Sequence, residues 1–140
     1  MKILAACRQR MIDQARRDAP NETCGFFTGR SSLIDDIHPM QNVSPDSNIR
    51  YEFQPVEHFK KMMELDRAGI PILGVYHSHP ASEAYPSETD VARALLLDGT
   101  PTYPDYLYII ISLKNPAAPV TNAFRILPGG TVREEELEVE

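Results

Sequence analysis

His77 and His79 stand one residue apart at the end of the apolar run "GVYHSHP", and a Ser-x-x-Asp sequence, Ser87 to Asp90, follows a short loop. Residues i and i+2 of an extended segment point to the same side, so the two imidazoles converge while Ser78 points away. Imidazole nitrogen suits zinc. Asp90 can supply a third, carboxylate ligand and leave a fourth position for water, which separates a catalytic zinc site from a structural one. Ten residues separate His79 from Asp90, room for a loop that lets the first turn of a helix fold back onto the strand end. Each part also has a plain explanation. Ser-x-x-Asp ahead of an apolar run is a capping box, in which Ser87 and Asp90 only close a helix N-terminus, and a single histidine at a strand end is an ordinary surface or core residue. Both histidines, Pro80 and the Ser-x-x-Asp fall within 14 residues, and that coincidence favours a metal site.

The rest of the chain must position these groups. Leu4, Cys7, Met11 and Ala15 recur at helical spacing with arginines on the other face, so residues 5–18 read as an amphipathic helix ending before Pro20. "CGFFTGR" and "LIDDIHPM" read as strands around the turn-prone Arg30-Ser31-Ser32. After the polar loop "QNVSPDSN", the alternation in "IRYEF" predicts a short strand. Pro55 opens a helix in which Val56, Phe59 and Met63 share a face, with Gly69 as its stop. "PILGVYHSH" reads as a buried strand with a polar far end, and "PSETDVARALLLDG" as a helix running to Gly99. "DYLYIIISL", "TNAFRIL" and "TVREEELEV" supply further strands. This order implies an α/β or α+β fold, a mixed sheet flanked by helices, with residues 1–140 as a single domain.

Composition narrows the function. A formal net charge of −6 disfavours a nucleic-acid surface, which needs a basic stripe to displace counterions. No stretch approaches the roughly 18 apolar residues of a membrane span, and the N-terminus lacks the apolar core of a signal peptide, so a cytoplasmic location is expected. Cys7 and Cys24 are then free thiols rather than a disulfide. His38 and His58, beside Pro39 and among lysines respectively, are not expected to bind metal. Asn42 reads equally well as a cleft residue or a loop residue.

"HSHP", six residues and "SETD" resemble the His-Ser-His-Pro … Ser-x-x-Asp signature of the JAMM (MPN+) zinc metalloproteases. "PNETCGFFTGR", "NVSPDSNIRYEFQP" and "GIPILGVYHSHP" resemble other segments of that family, so the likeness covers nearly the whole chain. It is closest to the short prokaryotic members. The resemblance implies a cytidine-deaminase-like JAMM/MPN fold, a Zn2+ cofactor on His77, His79 and Asp90, Glu22 as general acid and base, and Ser87 as a donor to the developing oxyanion. It also implies hydrolysis of the amide or isopeptide bond after the C-terminal Gly-Gly of a ubiquitin-like or sulfur-carrier protein. Two other functions stay open: a metal-free binding or scaffold module of the same fold, against which the complete His-His-Asp set argues, and a zinc hydrolase of small amides or peptides.

Overall fold

The apolar runs of residues 72–79 and 107–112 lie side by side, in parallel, at the centre of a mixed eight-stranded sheet. The structure is a computed structural model that describes residues Met1–Glu140. In chain order its elements are β1 (Lys2–Ile3), α1 (Ala5–Asp18), β2 (Cys24–Arg30), β3 (Leu33–Met40), α2 (Pro55–Arg67), β4 (Ile72–His79), α3 (Glu88–Ala94), β5 (Leu107–Ser112), β6 (Val120–Ile126), β7 (Val132–Glu135) and β8 (Glu138–Val139). The strand order is β7-β6-β5-β4-β2-β3-β1-β8.

Only Glu136 and Leu137 separate β7, at one end of that order, from β8, at the other. Three residue steps reach at most about 11 Å, whereas seven strand spacings laid flat would cover about 33 Å. The sheet therefore curls until its edges approach one another. The edge strand β8 is held beside β1 in parallel: Glu138 N–H donates to the Met1 carbonyl at 3.0 Å, Glu140 N–H to Ile3 at 2.8 Å, and Ala5 N–H to Glu140 at 2.9 Å.

Because side chains alternate along strands, the two faces of the sheet carry separate cores. Cys7, Met11, Ile12 and Ala15 of α1 pack with Phe27, Ile37, Tyr76, Ile109 and Ile111. On the other face Phe26, Met40, Val75 and Tyr108 pack with Met62 of α2 and Val91 of α3. His77 follows the parity of Val75. At β2, Gly25 leaves room for the Tyr76 ring: a Cβ there would lie 2.4 Å from the Tyr76 hydroxyl oxygen.

Four sequence expectations are corrected. "IRYEF" forms no strand; only Phe53 bridges, to Asn42, because the Asn42 side chain occupies this segment. Its Nδ2 donates to the carbonyls of Glu22 and Arg50, and its Oδ1 accepts from the N–H groups of Ser44 and Glu52. This assigns Asn42 to the loop. In α2 the stripe Val56, Phe59 and Met63 faces solvent. The helix packs instead through His58, Met62 and Leu65, whose own i, i+4, i+7 spacing was masked by the more apolar stripe. α3 stops at Ala94 rather than Gly99, since Leu95 turns extended to bridge Pro101 and Leu96 N–H bonds to Thr100. "TVREEELEV" divides into β7 and β8 at opposite ends of the strand order. β1, two residues long, carries too little pattern to be read from sequence.

No helix is long and apolar enough to cross a membrane. Cys7 and Cys24 are free and buried. Burial pushes the Cys24 thiol up to about 12 and raises Cys7 as well, and the thiolate is the reactive form. Iodoacetamide at pH 8 is therefore expected to leave the folded protein unlabelled and to label both cysteines after denaturation. A label found by mass spectrometry on native protein would contradict this burial.

Candidate active site

His77 and His79 close β4, and α3 brings Asp90 back over them. The three side-chain atoms His77 Nε2, His79 Nε2 and Asp90 Oδ2 are each 3.1 Å from the other two. A tetrahedral zinc with bonds of about 2.0–2.1 Å has ligand–ligand edges of about 3.3–3.4 Å, so this triangle is within a few tenths of an ångström of one tetrahedral face. Both histidines are buried, and the Asp90 side chain is 11% exposed.

The electrostatics favour a cation between these atoms. His79 Nδ1 donates to the Glu83 carbonyl at 2.7 Å, which turns the Nε2 lone pair towards the triangle, the usual way a metal-binding histidine is oriented. Burial alone would push His79 down, yet its hydrogen bonds to Asp90 and to the Glu83 carbonyl outweigh this and raise it. Burial likewise opposes charge on Asp90, but hydrogen bonds with His77, His79 and the Ser87 N–H hold its carboxyl well below the usual range. Two imidazoles and one carboxylate are also a donor set that zinc accepts.

The capping box is complete as well: Ser87 Oγ accepts the Asp90 N–H at 3.1 Å and Asp90 Oδ2 accepts the Ser87 N–H at 2.9 Å. The helix-cap geometry and the metal-site geometry therefore coexist, on one carboxylate oxygen. Ser87 Oγ uses only an acceptor position in the cap, so its own O–H remains available to another group.

Glu22 lies two residues before β2 and is only 4% exposed, and its Oε1 has no hydrogen-bond partner. Burial pushes its carboxyl above the usual range, and the nearby His77 and His79 pull it back. Ser78 determines where this segment runs. Pointing away from the histidines, its Oγ accepts the Thr23 N–H at 2.8 Å while its own N–H donates to the Thr23 carbonyl at 3.1 Å. From the other side, Ser47 accepts the Glu22 N–H at 2.7 Å.

Two further participants carried no signal in the spacing. Tyr51 stacks on His77 with ring centroids 4.6 Å apart, and Arg93, one helical turn beyond Asp90, donates to the Tyr51 carbonyl. The stacking restrains the His77 ring, whose buried Nδ1 has no partner. His38 instead contacts Thr28 Oγ1, and His58 packs on Phe26 and Phe53; neither joins the triangle.

The profile of the family described as prokaryotic homologs of the JAB domain, Prok-JAB, matches residues 4–127. The chain belongs to this family. The matched stretch of the JAB domain contains Glu22, His77, His79, Ser87 and Asp90. The domain is 33% identical over 118 residues to a desampylase of Haloferax volcanii, covering 80% of each chain. It is 35% identical over 127 residues to the CysO-cysteine peptidase of Mycobacterium tuberculosis, covering 89% of this chain and 81% of that one. A solution structure of a protein from Desulfitobacterium hafniense superimposes on it with a TM-score of 0.83 at 32% identity, covering 100% of this chain and 93% of the other. The expected mixed sheet flanked by helices is thus the architecture of a JAB domain.

Proposed function

We propose that this chain is a zinc-dependent metallopeptidase that hydrolyses the amide or isopeptide bond after the C-terminal Gly-Gly of a ubiquitin-like or sulfur-carrier protein. The observation that carries the reading is the 3.1 Å triangle of His77, His79 and Asp90 with the buried, unpartnered Glu22 carboxylate oxygen nearby. The names of the relatives support the substrate class: a CysO-cysteine peptidase and a desampylase, each matching about four-fifths or more of this chain.

His77, His79 and Asp90 would hold the zinc. Bound there, zinc supplies Lewis acidity, lowering the pKa of a water towards about 7 and polarising the scissile carbonyl. Glu22 takes the proton that the attacking water loses. The same carboxyl then returns it to the departing amine, which must be protonated to leave. Ser87 O–H, free of the cap, donates to the carbonyl oxygen as charge builds there. Tyr51 and the Glu83 carbonyl keep the two imidazoles from turning during turnover.

The test is cleavage of two defined substrates by zinc-loaded protein: a Gly-Gly-ending sulfur carrier bearing a C-terminal cysteine adduct, and the same carrier joined to a lysine. Release of intact carrier from either, followed by mass, is the expected result. Hydrolysis of small amides with both carrier conjugates left whole would move the substrate class to small molecules. Inertness towards both carrier conjugates and towards small amides despite bound zinc would leave a binding module.

A further inference from the structure

The loop between His79 and Ser87 supplies none of the three candidate ligand atoms, yet it fixes two of them. Its Glu83 carbonyl orients His79, and its far end delivers Ser87 and Asp90. Three successive carbonyls of this loop are each taken by a donor from a different strand. Ser112 Oγ of β5 donates to Ser82 at 2.6 Å, His79 Nδ1 of β4 to Glu83 at 2.7 Å, and Asn122 Nδ2 of β6 to Ala84 at 3.3 Å.

Strand register makes this possible. Ser112 is the β5 partner of His79, and Asn122 pairs with Ile110, itself the β5 partner of His77. All five side chains therefore stand on one face of the sheet. Next to Ser112 and Asn122 on this face of β5 and β6, the apolar Ile110 and Phe124 pack with Ala84. Beside the loop a cavity of about 590 Å3 opens, lined by Glu83, Ala84, Ser112 and Asn122 among others. On that side the loop is held by these hydrogen bonds, by Ala84 and by the edge-on contact of Tyr85 with Phe124, ring centroids 5.4 Å apart.

We infer that Ser112 and Asn122 are positioning residues for the metal centre: by fixing the Ser82 and Ala84 carbonyls they hold the Glu83 carbonyl against His79 Nδ1 and set the span from His79 to Asp90. This rests on the zinc reading above. The direct partner of a ligating histidine, here the Glu83 carbonyl, typically changes metal affinity by about 10–100-fold; Ser112 and Asn122 act through it, so their loss acts on metal retention without removing a ligand.

The experiment follows transfer of zinc from zinc-loaded protein to a chromophoric chelator, for the wild type, Ser112→Ala, Asn122→Asp and the double variant. Asn122→Asp keeps the shape of the side chain but replaces its donor with an acceptor. Each single variant is expected to bind zinc roughly 10-fold more weakly and the double variant up to about 100-fold. The thermal midpoint of the zinc-free protein should hardly move. Ser112→Thr, which retains the hydroxyl, should restore wild-type affinity. Equal affinity in the wild type and a folded double variant overturns the inference. Should the double variant not fold, equal affinity in Ser112→Ala and Ser112→Thr overturns it too. A wild type that takes up no zinc overturns the metal reading itself, whereas wild-type binding with unmoved variants overturns only this assignment.

Discussion

Glu22→Gln is expected to slow turnover by about 10²–10⁴-fold, the usual weight of general acid–base help, while zinc content stays that of the wild type. Glutamine matches glutamate in shape, so the segment held by Ser78 and Ser47 has no reason to move. An amide cannot take a proton from water and return it to an amine. Zinc should remain because the triangle of ligand atoms does not include Glu22. Stability should not fall, since the substitution replaces an ionisable group that burial already disfavours. The pH–rate profile offers a second reading, because protonating a base produces an acid limb and the variant has no base at this position to protonate. Steady-state rates beside elemental analysis on the same samples check this. Undiminished turnover with one zinc per chain would remove Glu22 from the chemistry.

Asp90→Ala and Ser87→Ala should separate two functions that meet on one oxygen. Asp90 Oδ2 accepts the Ser87 N–H and also faces both imidazoles. Its removal is expected to abolish zinc retention and activity together, and to leave two buried histidines facing one another without a counter-charge. Ser87→Ala withdraws the acceptor for the Asp90 N–H, which costs about 1 kcal/mol of stability as cap replacements generally do. Its zinc should stay bound. Its rate should fall by about 10²–10³-fold, the effect of losing one donor to a developing oxyanion. Zinc analysis, thermal unfolding and rates on both variants decide. If Asp90→Ala keeps its zinc and merely melts earlier, the carboxylate is only a cap.

The candidate metal ligands were legible in the sequence because the rules that bring them together are local. A strand repeats every two residues, which puts His77 and His79 on one side, and a capping box places Asp90 in the first turn of α3. Glu22 is different: 54 residues lie between it and His77, and no periodicity links them. It arrives through the antiparallel pairing of Cys24 with His77 and through Ser78, whose outward direction was readable but whose grip on Thr23 was not. Family resemblance alone pointed to it. Among the elements, long runs such as Ile72–His79 were found because burial on both faces demands continuous apolar sequence. The misreadings fall where a tertiary partner decides the outcome. The α2 stripe of Val56, Phe59 and Met63 satisfied helical periodicity, but the sheet receives Met62 and Leu65. The alternation in Ile49–Phe53 met an asparagine that consumes the hydrogen bonds a strand would need.

The pairing of β1 with β8 makes residues 1–140, topologically, a ring cut at one point. Residues 1–3 and 138–140 are already neighbours, so the architecture depends on the cyclic order of its strands and not on which of them is written first. Starting the same circuit within the exposed turn at Asn115–Ala118, with the present ends joined, would visit every strand with the same neighbours. Glu22, the two histidines and Asp90 would still fall on one uninterrupted arc. The candidate constellation is thus indifferent to where the circuit is cut, and the geometric demands of closure and of chemistry are met by separate parts of the molecule.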